Sequence, residues 1–197
     1  MAKKESTLLN MVLTLFLVTA AAGLALAMVY NATYEPIQEA KQKNLEEALS
    51  RVLPEFDKIE PETGIEVTPE DGEDPLTFFK AYKNDEHVGT AVKAYTDKGF
   101  SGRFWIMVGF LPDGTISNTA VLEHKETPGL GDKMEADKGD FPEQFKGKKP
   151  KNFTLTVSKD GGDVDAITAA TITSRAFCDA ADRAYKAFEN EKNGGTE

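Results

Sequence analysis

The hydrophobic pattern of this chain changes character three times. Residues 8–29 are 22 successive uncharged positions, interrupted only by Asn10, Thr14 and Thr19. At 1.5 Å per residue such a helix reaches roughly 33 Å, enough to cross the hydrocarbon core of a bilayer. Residues 36–53 then show helical spacing, with Ile37, Ala40, Leu45, Ala48, Leu49, Val52 and Leu53 on one stripe. Pro36 suits the first turn of that helix and Pro54 stops it, which predicts a separate juxtamembrane helix packed on the domain that follows.

From residue 76 the apolar positions come in short β-favouring bursts. Thr77-Phe78-Phe79-Lys80-Ala81-Tyr82-Lys83 alternates imperfectly, Asn84-Asp85 turns, and residues 88–95 return, so 76–96 predicts a hairpin. Residues 103–110, with Phe104, Trp105, Ile106 and Val108, predict another strand; Pro112-Asp113-Gly114 turns it into 116–122, and 153–157 predicts one more. Residues 55–74 are acidic and punctuated by Pro61, Pro69 and Asp71-Gly72, which predicts a linker with one short strand at 65–67. Over 171–189 the helical period returns: Ile172, Ala176, Ala180, Ala184 and Phe188 recur every four residues, Phe177, Ala181 and Tyr185 lie alongside, and Cys178 falls at the margin. Antiparallel strands closed by one C-terminal helix make an α+β domain behind a transmembrane helix. The organisation is therefore 1–7 as an N-terminal segment, 8–30 as an anchor, 31–75 as juxtamembrane helix and acidic linker, 76–190 as the folded domain and 191–197 as a polar tail.

Charge narrows the setting. A net charge of −10 argues against nucleic acid as a partner. The single cysteine excludes an intrachain disulfide framework, and no Cys/His cluster has metal-ligand spacing. Lys3 and Lys4 precede the apolar run and no Lys or Arg follows until Lys41, which places the N-terminus in the cytoplasm and the rest outside. Tyr30 and Tyr34 sit where interfacial aromatics belong. A cleavable signal ending at Ala25-Leu26-Ala27 is the rival reading; the run is longer than a usual signal core, which favours an uncleaved anchor.

The candidate chemistry lies in two stretches. Asp165-Ala166-Ile167-Thr168-Ala169-Ala170-Thr171-Ile172-Thr173-Ser174 follows Gly161-Gly162 and opens the closing helix. The first N–H groups of a helix lack internal partners and its dipole favours negative charge, so a phosphate fits there. The plainer alternative is an ordinary cap on Asp165 or Thr168. The second stretch, Glu123-His124-Lys125-Glu126-Thr127-Pro128-Gly129-Leu130-Gly131-Asp132-Lys133, is a tight irregular loop after a strand, a common place for binding residues.

Asp165-x-x-Thr168-Ala169-Ala170-Thr171 resembles the flavinylation motif Asp-x-x-(Ser/Thr)-Gly-Ala-(Ser/Thr) of FMN-binding domains, found in the G subunit of the Rnf electron-transport complex and the C subunit of the sodium-pumping NADH:quinone reductase. Ala169 stands where that family usually has Gly, a change that matters if the position needs a positive φ. Glu126-Thr127-Pro128-Gly129-Leu130-Gly131 resembles the signature of the same family, as do Gly99-Phe100-Ser101-Gly102 and Val108-Gly109-Phe110-x-x-Asp113-Gly114. The motifs occur in the family's order, the two main ones about forty residues apart.

The resemblance implies that residues 76–190 are an FMN-binding domain and that Thr171 carries FMN through a phosphoester. Thr168, Ala170 and Thr173 would surround the phosphate, and Glu126, Thr127, Gly129, Leu130, Gly131 and Lys133 would face the isoalloxazine ring, with Trp105 or Phe104 able to stack on it. Lys133 would raise the flavin's potential and Glu126 lower it. The implied protein is a single-pass electron carrier in the bacterial inner membrane, its FMN domain on the periplasmic side and no catalytic group beyond the flavin. It would serve an Rnf-type complex that couples ferredoxin:NAD⁺ electron transfer to Na⁺ or H⁺ translocation. Its partners would be the other subunits, membrane lipid and, during maturation, a flavin transferase. The chain has no nicotinamide fingerprint and no cluster cysteines, so those chemistries belong to partners. The alternatives are a C-type quinone-reductase subunit, a free-standing extracytoplasmic flavin reductase, and a non-redox sensor binding FMN or another phosphate ligand.

Overall fold

The computed structural model describes residues 7–68, 74–192 and 194. The expectations for Lys3 and Lys4, for Pro69 and Asp71-Gly72, and for most of the 191–197 tail lie outside the described residues. The chain divides into two compact units, Met1–Lys43 and Asn44–Glu197.

The first unit is the N-terminal part of helix α1 (Leu8–Val52). Among the described residues, this is the one helix long and apolar enough to cross a membrane. It runs unbroken through Pro36, where the sequence predicts a new helix. Proline removes one backbone N–H and crowds the carbonyl four residues back. The flanking turns, with Ala32, Glu35, Gln38, Glu39 and Ala40, are built from good helix formers and carry the helix across it.

The second unit is a five-stranded antiparallel meander in the order β1 (Lys58–Val67), β2 (Leu76–Lys83), β3 (Glu86–Thr96), β4 (Phe104–Phe110) and β5 (Ile116–Glu123). The β2–β3 turn is the one the sequence predicts: Asn84 and Asp85 have φ of 50° and 62°, the double left-handed conformation that tight hairpins need and that Asn and Asp tolerate. β1 corrects the expectation of a linker with a strand at 65–67 alone. It is an edge strand, so Pro61 removes no bond that the sheet requires, and the ladder shifts register between Glu60 and Ile65.

Both faces of this sheet are covered, which explains the imperfect alternation of β2. Phe78 joins Val92, Ile106 and Val108 under α2 (Thr171–Lys192), whereas Phe79 joins Ala91, Met107 and Ala120 under the last turns of α1. Ala48, Leu49 and Val52 bury that helix end. Its last carbonyls, orphaned by the helix terminus, find donors on β5: Ser117 Oγ donates to Val52 and Asn118 Nδ2 to Arg51 at 3.2 Å.

On the other face Ala176, Ala180, Ala181 and Ala184 let α2 lie close to the sheet, and Phe188 stacks on Phe110 with ring centres 4.7 Å apart. Ile172, predicted on this buried stripe, is 48 % exposed, because the first turn of α2 overhangs the sheet. Cys178, predicted at the margin, is fully within the core. Between β5 and α2 the chain covers the remaining core through three short 3₁₀ turns, Gly131–Met134, Phe141–Gln144 and Ser158–Asp160. The strand predicted at 153–157 does not form. Its backbone bonds go to a tight local loop: Thr154 N–H donates to Asp163 Oδ2 at 2.7 Å, Val164 N–H to Thr156 O at 3.1 Å and Ser158 N–H to Val164 O at 2.8 Å, leaving one isolated bridge between Val157 and Val164.

Candidate functional site

The start of α2 is set by backbone geometry and carries no side-chain cap. Thr171 is its first residue, which puts Ala170 in the capping position, and neither Asp165 nor Thr168 occupies it. The first helical bond runs from Ser174 N–H to Ala170 O at 3.0 Å, so the N–H groups of residues 171–173 lie outside the helix's own ladder. Ser174, fully buried, ties the approach together: its Oγ accepts from Ile167 N–H at 2.9 Å and donates to Ala170 O at 3.0 Å. The chain turns into the helix through Ala169, whose φ is +62°. A methyl-bearing residue pays for that conformation, and glycine does not.

The Glu126–Lys133 loop arrives at the same corner. Thr127-Pro128-Gly129-Leu130 is a turn closed by Leu130 N–H on Thr127 O at 3.1 Å, with Gly129 at φ +78° in the third position, the positive φ that a type II turn requires. Glu126 then points inward and is only 4 % exposed. Its Oε1 accepts from Ser101 N–H at 2.9 Å and its Oε2 from Thr173 Oγ at 2.5 Å, so one carboxylate joins the β3–β4 loop, this loop and α2. Two glycines make the room: a Cβ on Gly99 would stand 2.9 Å from Oε1, and one on Gly131 would stand 2.8 Å from Oε2 and 2.9 Å from Thr173 Oγ. His124 braces the loop from behind, its Nδ1 accepting from Glu126 N–H at 3.0 Å. That leaves the proton on Nε2, which donates to Glu135.

Where these segments meet there is a cavity of about 320 Å³, of the size small-ligand sites have. Of the residues singled out in the sequence, Thr171, Ala170, Thr173, Glu126, Thr127, Leu130 and Gly131 line it. Thr168, Gly129 and Lys133 are exposed and stand outside the lining. Trp105 packs beside Tyr95, ring centres 4.9 Å apart, with Lys93 Nζ over its face, and Phe104 is in the core; neither lines the cavity.

Phe100, Ala169 and Ile172 line it without having been assigned to it. Phe100 had a signal, an aromatic between glycines at a loop tip. Ile172 was hidden by a period that also fitted the core.

The cavity has two chemical ends. Its helix end offers the N–H groups of residues 171–173, the positive end of the α2 dipole and the hydroxyl of Thr171, which makes no hydrogen bond among the described residues. This end suits a phosphate. No Lys or Arg lines the cavity among the described residues. Its mouth is apolar, with Phe100 67 %, Ile172 48 % and Leu130 40 % exposed, and suits a flat aromatic ring. Both halves of an FMN therefore find matching chemistry.

Comparison with known proteins gives a consistent result. Residues 99–186 match the family described as the FMN-binding domain. The chain is 32 % identical over 197 residues to the G subunit of the ion-translocating oxidoreductase complex of Shewanella piezotolerans, covering 96 % of this chain and 92 % of the relative. It is 33 % identical over 193 residues to the protein of the same name from Aliivibrio fischeri ES114, covering 92 % and 91 %. Against that of Escherichia coli K12 it is 41 % identical over 119 residues, covering 59 % and 58 %.

Proposed function

Because the chain belongs to the family of G subunits of ion-translocating oxidoreductase complexes, we propose that it is a membrane-anchored electron carrier bearing FMN as a phosphoester on Thr171. The observation that carries this reading is the convergence of two motifs, distant in sequence, on one cavity whose helix end presents an unbonded threonine hydroxyl. Each residue has a part in it. Thr171 supplies the attachment oxygen, and the N–H groups of residues 171–173 offset the phosphate charge. Glu126 and Thr173 fix the loop against α2, while Phe100, Leu130 and Ile172 shield the ring from water.

When bound, FMN supplies reversible electron transfer, which no side chain of this protein can provide. A flavin transferase would form the ester: Thr171 Oγ bonds to the FMN phosphorus of FAD as the pyrophosphate bond breaks, AMP departs and the hydroxyl proton passes to water. The anchor at residues 8–30 holds the domain at the outer face of the bacterial inner membrane, with the N-terminus inside. The other subunits of an Rnf-type complex supply the ferredoxin, NAD⁺ and ion-translocating chemistry.

The test is the intact mass of the protein matured in its native membrane. A gain of one FMN less one water, lost in Thr171→Ala, is expected. A native wild-type protein without that gain overturns the covalent reading.

A further inference from the structure

The sequence places two opposing charges, Lys133 and Glu126, in the loop that meets the ring, and the structure separates them. Lys133 is exposed and does not line the cavity; Glu126 lines it and is 4 % exposed. No cation pairs with the Glu126 carboxylate among the described residues, and its two bonds come from neutral donors, Ser101 N–H and Thr173 Oγ. Two hydrogen bonds also leave a carboxylate about half its acceptor capacity. The burial is built in, since Gly99 and Gly131 lack the Cβ atoms that would displace it.

From this geometry we infer that Glu126 is the residue that sets the potential of the flavin, holding it low. This rests on FMN occupying the cavity as proposed above. Two electrons and one proton turn the oxidised ring into an anion, and a second proton neutralises it. An uncompensated carboxylate in a poorly solvated wall repels that anion, and among the described residues no cation lines the cavity to offset it. The reduced carrier is thereby made a stronger donor to the next centre. Glu126 acts as an electrostatic positioning residue and takes no part in bond making.

Wild-type, Glu126→Gln, Leu130→Lys and Thr173→Val proteins, full length and matured with the flavin transferase, are compared by redox titration with dithionite, following flavin absorbance. Intact mass first establishes the FMN adduct in each. Glu126→Gln keeps the shape and removes the charge; Leu130→Lys keeps the carboxylate and adds a cation at the cavity mouth. Each is expected to raise the midpoint by at least tenfold in the two-electron equilibrium, about 30 mV. Thr173→Val, which deletes a hydrogen bond and no charge, is expected to move it less.

Unchanged midpoints in loaded Glu126→Gln and Leu130→Lys overturn the assignment. So does a larger upward shift in Thr173→Val than in either. If Glu126→Gln fails to fold or load, the Leu130→Lys midpoint decides alone. A wild-type protein without the mass gain overturns the reading of FMN attachment itself, and mass reports that before any potential is measured.

Discussion

Gly109 of β4 lies directly beneath the Val52 carbonyl at the end of α1: a Cβ built on it would stand closer than 3.0 Å to that oxygen and 2.6 Å from Ser117 Oγ. The absence of a side chain there is what lets the helix end seat on the sheet and lets Ser117 and Asn118 satisfy its last carbonyls. Gly109→Ala is expected to cost about 1–3 kcal/mol through overpacking. Thermal unfolding of the full-length protein in detergent checks this, with a fall of several degrees expected. An unchanged midpoint would show that the helix end shifts without cost.

Ala169 is a non-glycine residue at φ +62°, just before the first turn of α2. Ala169→Gly removes the clash of Cβ with the following carbonyl, offset in part by the freedom glycine adds to the unfolded chain. The substitution is expected to stabilise the domain by about 1 kcal/mol, measured by urea titration of both proteins. Equal stability would mean that the unfolded-state entropy cancels the relief.

A Cβ on Gly131 would meet the Glu126 and Thr173 side chains. In Gly131→Ala the new methyl group pushes these apart or moves the loop off α2. About 1–3 kcal/mol of stability should be lost, together with most of the FMN adduct in intact mass spectra. Normal loading would show that the loop is free to shift outward.

Thr171→Ser keeps a hydroxyl at the head of α2, exchanging a secondary alcohol for a primary one with the loss of a single methyl group. Partial FMN loading is expected, against none in Thr171→Ala. Complete loss in the serine variant would show that the methyl group positions the hydroxyl.

Cys178 is a thiol held in the protonated form. Burial first, and then Asp179 and Asp182, push it up to about 12 from an ordinary 9.0. The thiolate is the reactive species, so the native protein is expected to resist iodoacetamide at pH 8 and to react on unfolding. The raised value also fixes a sign. Its contribution to stability is intact below about pH 9, where both states keep the proton, and is lost as pH rises toward 12. Native labelling at the rate of a free thiol would show that the α2 face opens.

Much of this is legible in the sequence alone. Asn84-Asp85 announced its hairpin because few residues tolerate two successive left-handed positions. The alanine stripe of α2 announced a close helix–sheet contact. Both site motifs were visible as well, since Pro-Gly and small-residue runs constrain the backbone locally.

What escaped depended on partners remote in sequence. Pro36 reads as a start signal, but proline propensity is local and neighbouring turns overrode it. Residues 58–64 read as a linker because the pattern does not distinguish an acidic loop from an acidic edge strand. Residues 153–157 have strand composition, but the loop closed on Asp163 and Val164 takes their backbone bonds. Lys133 and Glu126 look equivalent in the sequence, and their fates diverge because Gly99 and Gly131 open a space for one of them only.

Helices usually begin on a side chain that closes off their first amides. Here that duty falls to Ala170, which has only a methyl group to offer. The corner is thermodynamically incomplete until an anion arrives, so filling it tightens the first turn and slows its amide exchange. On the attachment proposed above, heat resistance becomes a gauge of maturation: chains without FMN are expected to melt first, and the two populations in a mixed preparation to be told apart without looking at colour.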